Sequence, residues 1–349
     1  MAGVLVVVLA AVALSAAQPA RAALADLSDR THKVDLLAKT TYKPRLAVFG
    51  GSRSMRIPPA FARSYAGVKA FNFAVQEGTT EDFWALSHHL VRRDPAGPLY
   101  VMWGLQPNSF SDRQMDVGLV RDRRLSRYFP PELLATMDGG ARHTWANRRF
   151  AADGHVTYDN YDRFEAAGRT LKQSLDAYIA RLLKKRSDGG VVPSHPTRAK
   201  QYFTDTLAYL NQHGCAPLIM IMPVHPRVIA AVRDARWDER RANFMAYLVS
   251  LQSTYRFTIL DFTFIWRFGG DRSLFYDGVH MKQENCRRLL QAAMDRAPWA
   301  FGLAPAPWDL LHDNEPGGSE PQGASVGSGE GVLLPADDGE GPTVIVPTQ

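Results

Sequence analysis

The chain predicts an α/β fold built on a five-stranded parallel sheet, and three observations lead there. Five short runs rich in β-branched and aromatic residues recur along its 349 residues. Helical patterns separate them, and strands alternating with helices give a parallel sheet covered on both faces. The composition, 46% hydrophobic and 22% charged, is enough for one large core in a globular protein.

Taken in order, residues 1–22 come first. Val4 to Leu14 is an unbroken apolar run with no Lys or Arg before it, and Ala20-Arg21-Ala22 has the small-x-small form of a cleavage site. The run is short for a membrane span, so the expectation is a signal peptide and an exported protein. An uncleaved membrane anchor and a buried N-terminal helix are the alternatives. Residues 23–42 read as a polar connector, partly helical.

The main domain is expected over 43–302. Its strands are Arg45–Phe49, Lys69–Val75, Leu99–Trp103, Pro217–Met222 and Phe257–Leu260. Thr79-Thr80-Glu81-Asp82 opens a helix in the manner of a capping box, with Phe83, Leu86, Leu90 and Val91 on one face. Further helices are expected over 161–185, 197–212, 228–251 and 281–296. An insertion of residues 109–190 follows the third strand. It would hang over the active edge of the sheet as a lid or cap, or serve only as helical decoration.

Beyond Leu303 the chain is rich in Gly, Pro, Ser and acid, with eight Asp and Glu and no Lys or Arg. It cannot bury enough apolar surface to offset its ordering entropy, so 303–349 reads as a disordered acidic tail. Residues 1–302 therefore carry +14 of charge, against +6 for the whole chain. A basic body suits an anionic partner, or merely aids solubility. No nucleic-acid motif, no metal-ligand spacing and no cofactor motif is present. Cys215 and Cys286 permit one disulfide without demanding it, and apolar burial is the simpler role for each.

Chemistry concentrates at two places. Gly50-Gly51-Ser52-Arg53-Ser54 follows the first strand, where open α/β sheets place their sites. Two glycines allow a tight turn that exposes a serine, although such turns are also common without chemistry. Asp277-Gly278-Val279-His280 lies near the end of the domain. There one turn of chain can present a base together with the carboxylate that orients it. Ser52 is the candidate nucleophile, His280 the general base and Asp277 its partner, with Ser54 the rival serine. Arg53 and Arg56 flank Ser52 and are candidate substrate-binding cations, or simply solvated ones. His225 follows the fourth strand and is a candidate substrate contact or a structural group.

These blocks resemble the SGNH/GDSL hydrolase superfamily over about residues 30–297. Gly50-Gly51-Ser52 is similar to the first block and Asp277 to His280 to the last. The Gly-x-Ser-Arg form, with Phe71 to Asp82 as a second block, resembles the envelope-associated branch. That branch contains the D-alanyl-lipoteichoic acid biosynthesis and polysaccharide O-acetylation proteins. The resemblance implies a flavodoxin-like three-layer sandwich and acyl transfer through an acyl-serine, with no cofactor. It places oxyanion donors at the Ser52 amide and at Glu77 or Gly78. The third block departs from the family's Gly-x-Asn-Asp, reading Gly104-Leu105-Gln106-Pro107-Asn108, so Gln106 or Asn108 is the candidate amide. The implied function is an esterase or O-acyltransferase acting on an acylated small molecule or an anionic envelope polysaccharide, at or near a membrane surface. The alternative is a non-catalytic envelope-assembly or glycan-binding protein.

Overall fold

A computed structural model describes residues 28–95, 100–136, 148–184, 192–233 and 236–307, with the backbone of 344–345. The expected leader, residues 1–22, lies outside them, and among the described residues no helix is long and apolar enough to cross a membrane.

Strands β1 (Leu46–Gly50), β2 (Ala70–Asn72) and β3 (Tyr100–Leu105) begin the main sheet. A small antiparallel hairpin, β4 (Arg149–Phe150) and β5 (Val156–Tyr158), lies within the insertion. Strands β6 (Leu218–Ile221) and β7 (Thr258–Asp261) complete five parallel strands in the order β2-β1-β3-β6-β7. Four fall within two residues of the expected runs, and β2 ends three residues before the expected Val75. With helices on both faces this is the flavodoxin-like sandwich, whose strand order reverses between β1 and β3.

The expected disordered tail, residues 303–349, lies mostly outside the described residues. Two residues of it form β8 (Val344–Ile345), which pairs antiparallel with β7.

Alternation along β1 builds the two halves of the core. Leu46 and Val48 face Ala62 of the helix Pro59–Ala66 and Leu289, Leu290 and Ala293 of the helix Gln283–Arg296. Ala47 and Phe49 face Phe83 and Leu86 of the helix Thr80–Arg93, with Phe203 and Leu207 of the helix Arg198–Gln212 and Phe244 of the helix Trp237–Leu251 beyond. The rings of Phe49 and Phe83 stack at 5.0 Å, and Phe83 meets Trp103 edge-on at 5.2 Å. Full burial of one such side chain contributes about 1.5–3 kcal/mol. Cys215 and Cys286 are buried and unpaired, and burial pushes both thiols up to about 12.

The region expected as a connector contributes to the core. Its helix Asp29–Ala38 buries Arg30 against Asp82 at 2.9 Å and Asp116 at 3.4 Å. Lys33 is fully buried and donates to the carbonyl oxygens of Asn72, at 2.8 Å, and Gly154. Asp82 also closes the capping box foreseen at Thr79, accepting from its amide at 2.8 Å. The polar sequence of this helix hid its burial because Arg30 is ion-paired and Lys33 hydrogen-bonded inside the fold.

Two expected helices are each broken in two. The first becomes Asn160–Ala166 and Leu171–Lys184, parted where Gly168 takes φ +85°. The second becomes Pro226–Val232 and Trp237–Leu251, with Arg236 at φ +60° capping the latter. The described parts of the insertion pack beside the carboxyl edge of the sheet. Arg56 pairs with Asp159 at 2.9 Å and with Asp162, and the Tyr276 hydroxyl donates to Asp162 at 2.6 Å.

Candidate active site

The carboxyl ends of the parallel strands set the position of the site. Register pairs Gly50 with Gly104, Leu105 with Ile221, and Ile221 with Asp261, so the strands end level. Ser52 follows β1 at the switch point, where such sheets hold ligands.

Its turn is built from below. Gly50 takes φ +143°, and a side chain there or at Gly104 would run into Ser54. Ser54 is fully buried against Met222, Oγ to Sδ 3.6 Å, and packs the floor of the turn, where it also lines the small cavity beside Gly51 and Gln106. The Ser54 amide donates to Gly51 O at 2.9 Å, closing the turn. Asn72, at the end of β2, donates from Nδ2 to the carbonyl oxygens of Ser54 and Ile57, each at 2.9 Å. Lys33, on the same Asn72, ties this support to the N-terminal helix.

The partners come from a tight loop before the last long helix. The Asp277 Oδ1 accepts the amides of Val279 at 2.9 Å and His280 at 2.8 Å, a turn motif that fixes the carboxylate. Both carboxylate oxygens lie 2.9 Å from His280 Nδ1. His280 Nε2 lies 2.9 Å from Ser52 Oγ. With Nδ1 carrying the proton toward Asp277, Nε2 is free to accept from the serine. Burial alone would raise the Asp277 carboxyl. The His280 ring and the two amides outweigh it and hold the group at about 2.

The oxyanion candidates separate. Among the described residues the Ser52 amide makes no backbone hydrogen bond, which leaves it free to donate. The Gly78 amide already donates to Val75 O at 3.1 Å. Glu77 is exposed, with φ +49°. Gln106 lines the small cavity beside Gly51 and Arg53, and its side-chain oxygen is buried without a partner. An amide turned half over puts its NH₂ where the oxygen was. Asn108 has a similarly orphaned oxygen but does not line that cavity.

Of the three expected substrate contacts, the structure leaves one open. Arg56 is held by Asp159 and Asp162 and lies 4.6 Å over the Tyr276 ring. His225 is buried, with Nδ1 accepting from the Arg227 amide and Nε2 against Arg272 O at 3.2 Å. Burial lowers its pKa, as suits a neutral structural ring. Arg53 is half-buried and lines the cavities on this edge.

Tyr161 was not foreseen as a site residue. It sits on the helix Asn160–Ala166 with its hydroxyl 3.2 Å from His280 Nε2 and its ring 4.4 Å from the imidazole. Burial, with Asp277 and Asp159 nearby, raises its pKa and keeps the hydroxyl protonated. Only the docking of the insertion brings it here, and no local pattern marks it. Beside it opens a cleft of about 400 Å³, lined by Tyr161, Phe164, Tyr178, Arg181, Tyr276 and Asp277 among others. Among the described residues no group of three or more His, Cys, Asp or Glu is placed to hold a metal ion.

Fold and site together define an α/β protein with a serine, histidine and aspartate hydrogen-bonded in series at its switch point. No protein-family model matches the chain, and no curated protein matches it. Among solved structures it is similar to a chain described as "a putative platelet activating factor from Streptococcus pneumonia", at 11% identity and a TM-score of 0.39, over 81% of this chain and 98% of that one. So distant a likeness carries no weight for fold or function.

Proposed function

We propose that this is an SGNH-type serine esterase or O-acyltransferase, exported from the cytoplasm and acting on an acylated envelope glycan or a smaller acylated substrate. The observation that carries the reading is the series Ser52 Oγ, His280 Nε2 and His280 Nδ1, Asp277, with each step at 2.9 Å. A serine hydroxyl is a poor nucleophile until a base removes its proton, and this series supplies that base already oriented.

In the first half-reaction Ser52 Oγ attacks the ester carbonyl carbon as its proton moves to His280 Nε2. The Ser52 amide and the Gln106 side chain face the developing oxyanion. Collapse breaks the ester C–O bond, and His280 returns the proton to the departing alkoxide. An acyl-serine remains. Water or a sugar hydroxyl then gives its proton to His280 and attacks the acyl carbon; the acyl–Oγ bond breaks and His280 returns the proton to Ser52 Oγ. Asp277 stays ionised and stabilises the imidazolium in both halves. The cleft beside Tyr161 has the size of a small-ligand pocket, and its aromatic rings offer flat faces to a sugar.

A second reading is a glycan-binding protein without turnover. The engaged Gly78 amide and the altered third block favour it, since one missing oxyanion donor costs roughly 10²–10³ in rate. Fluorophosphonate labelling and p-nitrophenyl acetate turnover separate the two. Ser52→Ala abolishes labelling and Ser54→Ala leaves it. His280→Ala loses about as much turnover as Ser52→Ala, because members of one unit fail together. Folded protein that neither labels nor turns over ester leaves the binding reading in place.

A further inference from the structure

A second cavity, of about 50 Å³, lies beside Arg53 over the carboxyl ends of β6 and β7. Met222, Val224, Trp237 and Phe244 give it an apolar lining, and Arg53, Arg240 and Arg241 bring three guanidinium groups to it. None of its lining residues is acidic.

The three arginines differ in how they are held. Arg241 is paired with Asp261, which also takes Arg267 at 2.8 Å. The other oxygen of Asp261 accepts from Thr263, so that carboxylate has nothing left to offer. Arg53 and Arg240 are half-buried. Among the described residues neither side chain has a hydrogen-bond or ion-pair partner, and Arg240 Nε is buried without one. The Asp277 carboxylate acts on Arg53 only through space, because both its oxygens face His280. Two half-buried cations lacking counterions, on apolar walls, form a site that a bound oxyanion completes: the guanidinium fork matches carboxylate and phosphate.

We propose that Arg53 and Arg240 form an oxyanion-binding subsite next to the nucleophile, which takes a carboxylate or phosphate carried by the substrate. This rests on the functional reading above and narrows it: the acylated polymer is anionic, and its charge docks over β6 and β7. Arg240 holds the anion without touching the reacting atoms. Arg53 also lines the small cavity of Gln106, so one side chain borders both cavities.

Titration calorimetry on the full chain carrying Ser52→Ala tests this without turnover. The probes are an oligogalacturonate for carboxylate, a glycerol-phosphate oligomer for phosphate and a cello-oligosaccharide as the neutral control. One of the anionic oligomers binds, its affinity falls with added NaCl, and the cello-oligosaccharide does not bind. Arg240→Met, which keeps the apolar stem, weakens that binding about tenfold or more, and Arg53→Met does the same. Arg287→Met, at a partly exposed side chain paired with Glu284 on the helix Gln283–Arg296, leaves the affinity unchanged, and melting curves verify that each variant is folded. Equal affinity in Arg240→Met and its parent overturns the proposal. So does equal binding of the neutral oligomer, or no binding of either anion. Arginine-dependent binding in a protein that fails fluorophosphonate labelling retains the subsite and removes only the catalytic reading.

Discussion

At the scale of single residues, Asp277 has the sharpest consequence. Its carboxyl sits at about 2 in the fold, against an ordinary value of 3.8. Between those values the unfolded chain binds the proton and the folded one does not. The stabilisation is therefore full above about pH 4 and is lost as pH falls through 2. Urea midpoints measured from pH 6 down to 2 should show wild type losing its advantage over Asp277→Asn by about 2 kcal/mol. A constant gap would mean that the carboxylate is not held by the His280 ring. Tyr161 raises a different question. Its hydroxyl and that of Ser52 both face the one lone pair on His280 Nε2. Tyr161→Phe removes the competitor while keeping the ring against the imidazole. The expected result is intact folding and a change of about two- to tenfold in the rate of fluorophosphonate labelling. An unchanged rate would make the tyrosine a packing residue only.

At the scale of elements, the nucleophile turn depends on a strand and a helix that never touch substrate. Asn72 on β2 satisfies carbonyl oxygens of the turn, and Lys33 of the N-terminal helix anchors to the same residue. Asn72→Ala strands buried acceptors, each costing about 1–3 kcal/mol. We expect a melting temperature lower by several degrees together with slower labelling of Ser52. A loss of stability with unchanged labelling would mean that the Gly50 and Gly104 packing under Ser54 fixes the turn unaided.

For the whole molecule, the tail and the leader give the tests. Truncation after Gly302 removes β8, two residues paired with Ile259 and Leu260 at the sheet edge. So short a strand adds little, and the melting temperature should move by less than about 4 °C, while amides of β7 exchange faster. A larger drop would show that the acidic tail docks on the basic body. In its native host the protein should be recovered outside the cytoplasm, cleaved near Ala22 or held in the membrane. Soluble cytoplasmic protein retaining Met1 would refute export.

The sequence by itself determined the five strands, the capped helix at Thr79 and the choice of Ser52, Asp277 and His280. Most rest on local chemistry: apolar runs, a capping pair, and a base three residues from its carboxylate, while Ser52 is preferred to Ser54 by the register of the resemblance. Tertiary structure decided the rest, because the deciding contacts join distant residues. Lys33 and Arg30 fall in what reads as a polar connector until Asn72 and Asp82 stand beside them. Arg56 reads as a substrate cation until the insertion brings Asp159 and Asp162 to it. Tyr161 and Arg240 carry no local mark, since a tyrosine and an arginine on helices are ordinary. One lies over the imidazole because the insertion folds back across the sheet edge. The other faces Arg53 because parallel strands of equal reach bring the ends of β1, β6 and β7 together.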